Sequence, residues 1–168
     1  ARVSVVQGPN FDTATPYITG LPISNHDHGV NGIQFDNYGD MLIAVGGNTN
    51  AGVRDCNMGD LPESPLSASL IKAHTSKSNF NGTIHYLRTD DNTPDNNQVN
   101  GEEVYMAPGS DISVMAMGLR NCFDIVWTTA SKIFGVSNGG NHGLGEGSVT
   151  ATHPTPNTTP DPSSTPYE

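Results

Sequence analysis

Two stretches of this sequence repeat each other at a fixed distance. Ile33-Gln34-Phe35 followed by Met41-Leu42 returns as Ile125-Val126-Trp127 followed by Ile133-Phe134, a constant offset of 92. Each copy closes on a glycine pair, Gly46-Gly47 and Gly139-Gly140. In the first copy Asp36-Asn37-Tyr38-Gly39 supplies turn chemistry between two short apolar runs, so the unit reads as a β-hairpin. A several-stranded unit that recurs with the same loop at the same end is how propeller blades look in sequence. The repeat also bounds the count. Residues 1–146 hold about two to three blades, against the roughly four to eight that close a ring. Strand edges and apolar faces would therefore stay bare unless further blades come from elsewhere. The chain is expected to be either a fragment or a subunit completed by another chain.

The remaining segments fit an all-β fold. Turn formers are dense (19 Gly and 12 Pro), and the apolar runs between them are short, a pattern of short strands joined by irregular loops. Strands are expected at Arg2 to Val6, Tyr17 to Leu21, Gly29 to Phe35, Met41 to Val45, Thr83 to Arg88, Val104 to Ala107, Ile112 to Met117, Phe123 to Thr128 and Ile133 to Ser137. Leu66 to Ala73 reads as a strand or one short helix, since its alternation favours neither. Thr89 to Gly101 is a polar loop whose carboxylates lack the alternating spacing of an EF-hand, so it reads as a solvated excursion. From Gly147 the chain is Ser/Thr-rich with prolines at short intervals. Such a segment favours extended conformations and cannot bury enough to fold alone. Residues 147–168 are thus a tail or linker.

Charge narrows the function classes. The formal net charge is −10, which repels a polyanion, so nucleic acid is not the expected partner. No run approaches the length of a membrane span. Asn81-Gly82-Thr83 and Asn157-Thr158-Thr159 both satisfy the glycosylation sequon. With the tail, they favour a secreted, extracellular setting. Cys56 and Cys122 are the only cysteines, too few for a metal knuckle. If they pair, the closed loop would stabilise by roughly 4 kcal/mol in the chain-entropy model.

The histidines stand where the first repeat opens. His26 and His28 share one side of an extended segment and can be solvated loop residues, a metal pair or the seat of a general base. A third metal ligand would come from His74, His85 or His142, none at diagnostic spacing. A base needs an orienting partner, for which Asp27 or Asn31 could serve. Arg120-Asn121 opens the second repeat, and its guanidinium suits either a surface ion pair or a carboxylate or quinone oxygen. Gly139-Gly140-Asn141 is either a plain turn or a place where backbone carbonyls meet a hard cation.

Taken in order, GLPISNHDHGVNGIQFDNYGDMLIAVGG, SASLIKAH with NFNGTIHY, and GLRNCFDIVW ending in SNGGN resemble the soluble quinoprotein sugar dehydrogenases. That family is itself similar to L-sorbosone dehydrogenases and to the propeller of hedgehog-interacting protein. The resemblance runs from about Gly20 to Glu146. It implies a six-bladed β-propeller with pyrroloquinoline quinone (PQQ) and calcium in a cleft at one end. By position, it implies His28 as the general base and Arg120 as the group stabilising the developing quinone oxyanion. Asn121 would be a neighbouring cofactor contact, and Gly139 and Gly140 would hold the calcium through their carbonyls. This chain has Leu119 where the family often has His, and Gly140 where it often has Pro. The basic residues that grip the cofactor's carboxylates belong to later blades. The expectation is therefore a base-bearing segment of a sugar dehydrogenase-like propeller, without turnover alone. The alternative is an extracellular structural or interaction module that assembles with other chains.

Overall fold

Met41–Val45 carries no polar side chain, and all five residues are buried. A strand of this kind must be covered on both faces. The computed structural model describes residues 1–24, 28–50, 52, 61–94 and 103–140, and in it the strand lies inside a stack of antiparallel sheets. The strands in chain order are β1 (Arg2–Gln7), β2 (Thr13–Thr19), β3 (Val30–Phe35), β4 (Met41–Val45), β5 (Ser69–Ala73), β6 (Tyr86–Arg88), β7 (Val104–Met106), β8 (Ile112–Met117), β9 (Cys122–Trp127) and β10 (Ile133–Ser137). Among the described residues there is no α-helix. The fold is all-β, and among the described residues no helix is long and apolar enough to cross a membrane.

The central sheet has the order β3-β4-β5-β8. Period-two alternation sends its side chains to two separate cores. Met41, Ile43, Val45, Ile71 and Ala73 face one side, where they meet Val3 and Ile18 of the β1–β2 hairpin. Leu42, Ala44 and Leu70 face the other, against Cys122 and Ile125 of the β9–β10 hairpin. Three layers result, with β4 in the middle. Deleting one buried side chain from that strand, as in Ile43→Ala, removes packing worth about 2–5 kcal/mol.

The 92-residue repeat reappears in the hydrogen-bond register. β3 and β4 begin and end at Val30, Phe35, Met41 and Val45; β9 and β10 do so at Cys122, Trp127, Ile133 and Ser137, each 92 further on. The cross-strand partners shift by the same amount. Ile33↔Ile43, Gln34↔Leu42 and Phe35↔Met41 become Ile125↔Gly135, Val126↔Phe134 and Trp127↔Ile133. The turns agree as well. Gly39 sits at φ 84° and Ser131, 92 later, at φ 57°. Both occupy the left-handed position of a hairpin loop.

A second repeat was not read from the sequence. In β5–β8, Ser69↔Met117 and Leu70↔Ala116 precede a one-residue bulge, after which Ile71 pairs with Val114. In β1–β2, Arg2↔Thr19 and Val3↔Ile18 precede the same bulge, after which Ser4 pairs with Pro16. The strands then end alike, on Gly20 at φ 82° and Gly118 at φ 87°. β1–β2 is thus a copy of the last two strands of the central sheet, and β9–β10 a copy of its first two.

Three expectations shift. β2 begins at Thr13 rather than Tyr17, because its pairing with β1 extends as far as Gln7. β6 keeps only Tyr86–Arg88, since the backbone of Ile84 bonds instead to Thr19. Leu66 to Ala73 resolves into a strand from Ser69, preceded by a turn with Leu66 and Ala68 at positive φ. The 147–168 tail lies outside the described residues.

A charged cluster closes the turn end of the central sheet. Asp36 accepts hydrogen bonds from the amides of Tyr38 and Asp40, and Lys72 Nζ reaches Asp36 at 2.7 Å and Asp40 at 3.0 Å. Burial opposes ionisation of both carboxyls. At Asp40, hydrogen bonds from Ser76 and Lys72 outweigh it and hold the group well below the usual carboxylate range. Asp36 is lowered by Lys72 and the two turn amides. A depressed carboxyl contributes stability above its unfolded pKa of about 3.9 and loses it as pH falls toward the native value. Urea midpoints should therefore hold level from neutral pH to about 5 and fall below about 4. In Asp40→Asn that acid-side fall should be shallower; an unchanged profile would contradict the assignment.

Candidate functional site

One end of the stack gathers the chemistry. At this end β3 begins, β4 ends, and the chain passes from β8 into β9, so residues far apart in sequence meet there by topology. His28 precedes β3 and is 3% exposed. Its backbone is pinned by Ser24, whose Oγ accepts the His28 amide and whose own amide bonds to the His28 carbonyl. Its Nδ1 lies 2.8 Å from the carbonyl oxygen of Gly47. A carbonyl can only accept, so Nδ1 carries the proton. Nε2 is then the basic nitrogen, the tautomer a general base requires.

Gly47 also carries the link onward. Its amide donates to the carbonyl of Arg120 at 2.7 Å. Arg120 is 4% exposed, and its Nε donates to Asn50 Oδ1 at 3.0 Å. The imidazole of His28 and the backbone of Arg120, from separate repeats, are thus tied to the two sides of one glycine, while the guanidinium is held by Asn50. Asn31, an expected orienting partner for His28, does other work. Its Nδ2 donates to Asn121 Oδ1 at 2.8 Å and to the Cys122 carbonyl at 3.0 Å, clamping the start of β3 to the start of β9. Asn121 in turn accepts the amide of Asn138 through its backbone, which draws in the loop holding Gly139 and Gly140. Beside Gly139 there is open space: a Cβ there would meet nothing within 4 Å.

Sequence reasoning missed Glu63. Its carboxylate accepts the amides of Asn48 and Thr49 at 2.9 and 3.0 Å and the hydroxyls of Thr49 and Ser67. It ties the loop after β4 to the turn before β5. Only a local signal was present, a lone acid between two prolines. An apolar cavity of about 620 Å³ opens beside this turn, lined in part by Leu66, Met106, Met117 and Arg120.

Several expected residues fall elsewhere. His26, Cys56 and Asn157 lie outside the described residues, as do Asn141 and His142. His74 lies after β5, at the turn end, 3.6 Å from Asp40 and 3.1 Å from Ser113 Oγ, far from a role beside His28. Cys122 is buried in the second core. Asn81 is exposed, with its Nδ2 donating to Gly109 and its Oδ1 accepting the Thr83 amide.

The donor set fits calcium and a tricarboxylate quinone only in part. Calcium takes 6–8 oxygens, and the expected contribution here is two glycine carbonyls. No group of three or more His, Cys, Asp or Glu suited to a metal occurs among the described residues. Lys72, Lys77 and Arg88 are held by Asp36 and Asp40, by Asp111 and by Asp90. The described residues of one copy therefore supply only part of a cradle for either group. Comparison with protein-family models, with characterised proteins and with solved structures finds no match.

The two glycine loops differ in how closely they are packed. A Cβ on Gly46 would come within 2.9 Å of His28 Cβ and 3.0 Å of Asn121 Oδ1. Gly46→Ala should cost about 1–3 kcal/mol and displace the His28 ring resonances in an NMR spectrum. Gly139→Ala should stay within about 0.5 kcal/mol of the parent. Equal effects at the two sites would contradict this packing.

Proposed function

We propose that this chain is a segment of a secreted β-propeller similar to the soluble quinoprotein sugar dehydrogenases, and that its mouth carries the base-bearing part of their site. One observation carries the reading: the His28 ring and the Arg120 backbone, from different repeats, both bond to Gly47 at the same end of the stack, where Asn50 holds the Arg120 side chain. The layered sheets and the 92-residue register support a propeller segment. In this reading Nε2 of His28 takes the proton of a sugar hydroxyl, and Arg120 stabilises negative charge developing opposite it. PQQ, when bound, would accept the hydride, with calcium polarising it. Gly139, Gly140 and Asn121 would supply part of their surroundings. Because the described residues supply only part of that cradle, this reading gives turnover to an assembly and not to a lone copy.

The buried state of His28 and Arg120 favours a second reading, an extracellular interaction module without turnover. The two separate in one assay. Assembled protein, supplied with calcium and PQQ, should reduce a dye when given an aldose. His28→Ala should lower that rate by about 10²–10⁴-fold, the usual span for a lost acid–base group. Full activity in His28→Ala would end the catalytic assignment, and no aldose-dependent reduction by a folded, cofactor-exposed assembly would leave the interaction module. The secreted setting has its own test. Expression through a secretory pathway should add a glycan at Asn81 that an amidase removes and Thr83→Ala abolishes; an unmodified Asn81 would count against it.

A further inference from the structure

The register assigns each strand pair a place in one repeating four-stranded sheet. β3 and β4 are its first and second strands, and β5 and β8 its third and fourth. β9–β10 repeats the first two at an offset of 92, and β1–β2 repeats the last two, bulge included. The described chain is therefore the trailing half of one sheet, a whole sheet, and the leading half of another. Over Ile133–Val136, the side of β10 away from β9 carries no strand among the described residues, nor does the side of β1 away from β2.

The apolar faces match the edges. Leu42 and Ala44 are wholly buried, yet Phe134 and Val136, their counterparts 92 residues on, are 62% and 67% exposed, with Phe123 and Val126 beside them. On the other side of the stack β1–β2 leaves Ile33 and Phe35 of β3 uncovered, at 38% and 55%. A first-and-second strand pair is what would cover them, as β9–β10 covers the opposite face of the central sheet. The half that β10 lacks is the half that β1–β2 supplies. In its own copy that hairpin lies across the central sheet from β9–β10 and faces the other core.

We propose that the β9–β10 hairpin of one copy joins the β1–β2 hairpin of a second copy to form a composite four-stranded sheet, joining copies head to tail. The β4–β5 pairs Met41↔Ala73, Leu42↔Lys72, Ile43↔Ile71 and Ala44↔Leu70 fix the register. Transposed, they read Ile133↔Val6, Phe134↔Val5, Gly135↔Ser4 and Val136↔Val3 between copies. Phe134 and Val136 then pack toward Ile33 and Phe35 of the second copy. Such a contact is heterologous, so it builds a ring when the rotation closes. Each copy brings two sheets' worth of strands, so rings of roughly four to eight sheets contain about two to four copies. The inference rests on the propeller-segment reading and not on the dehydrogenase chemistry.

The test is a register-specific disulfide in the full chain. Val5→Cys with Phe134→Cys places both thiols on one face at opposed positions. Val6→Cys with Phe134→Cys is one residue out and on opposite faces. Light and heavy-isotope chains are mixed, oxidised and digested, and linked peptides are read by mass. The proposal expects a 5–134 link, with light–heavy pairs in the proportion set by mixing, and at least ten times less 6–134 link. Native mass spectrometry of the unsubstituted chain should give a defined small oligomer. Equal yields in the two pairs, links only between same-isotope peptides, or a monomer at 100-fold varied concentration would each overturn it. None of these readouts depends on calcium, PQQ or His28. Their failure is thus distinct from a failed turnover assay.

Discussion

Everything in this fold depends on the double burial of β4. Its five side chains alternate between two cores, so the strand is stable only while a sheet lies on each side. At roughly 25 cal/mol per Å² of apolar surface removed from water, such a strand is where this chain draws its cohesion. That requirement fixes the order of layers. It brings β1–β2 onto one face and β9–β10 onto the other, and β9 is thereby set beside β3. Once β3 and β9 lie side by side, the segments before them, carrying His28 and Arg120, meet at the same end.

The mouth is held by backbone more than by charge. Gly46 and Gly47 allow the start of β3 and the start of β9 to approach within reach of one peptide unit. A side chain at Gly47 would strike Glu63 and the Arg120 carbonyl. The Asn31–Asn121 hydrogen bond adds a side-chain clamp 90 residues apart in sequence. The buried cluster of Lys72 with Asp36 and Asp40 lies at the opposite end. At the mouth, His28, Arg120 and Glu63 are each held by directed hydrogen bonds in a desolvated setting, where such bonds are strongest.

The hairpins were legible because their side chains repeat as well as their turns. Ile33 and Ile125, or Met41 and Ile133, keep the same apolar character at the same register, so an offset of 92 could be read without coordinates. The kinship of β1–β2 with β5–β8 was not legible. Thr13–Thr19 reads TATPYIT and Ile112–Met117 reads ISVMAM. Their likeness lies in a backbone bulge and a positive-φ glycine, which unrelated side chains can share. At the site, His28, Arg120 and Asn121 were found by type and position. Their partners were not, because Gly47 acts through its carbonyl and Asn31 reaches across the repeat, and neither role has a sequence signature. Glu63 is the same kind of case, a carboxylate satisfied by loop amides that only the folded loop brings together.

In the proposed ring β1 and β10 are halves awaiting partners, in contrast to β4 and β5, each paired on both edges. Amide hydrogen exchange read by mass spectrometry, across a 100-fold range of chain concentration, tests that contrast directly. Peptides covering β4 and β5 should be protected to the same degree throughout, while those covering β1 and β10 should gain protection as concentration rises. Protection of β1 and β10 that matches β4 at every dilution, or that never appears, would contradict it.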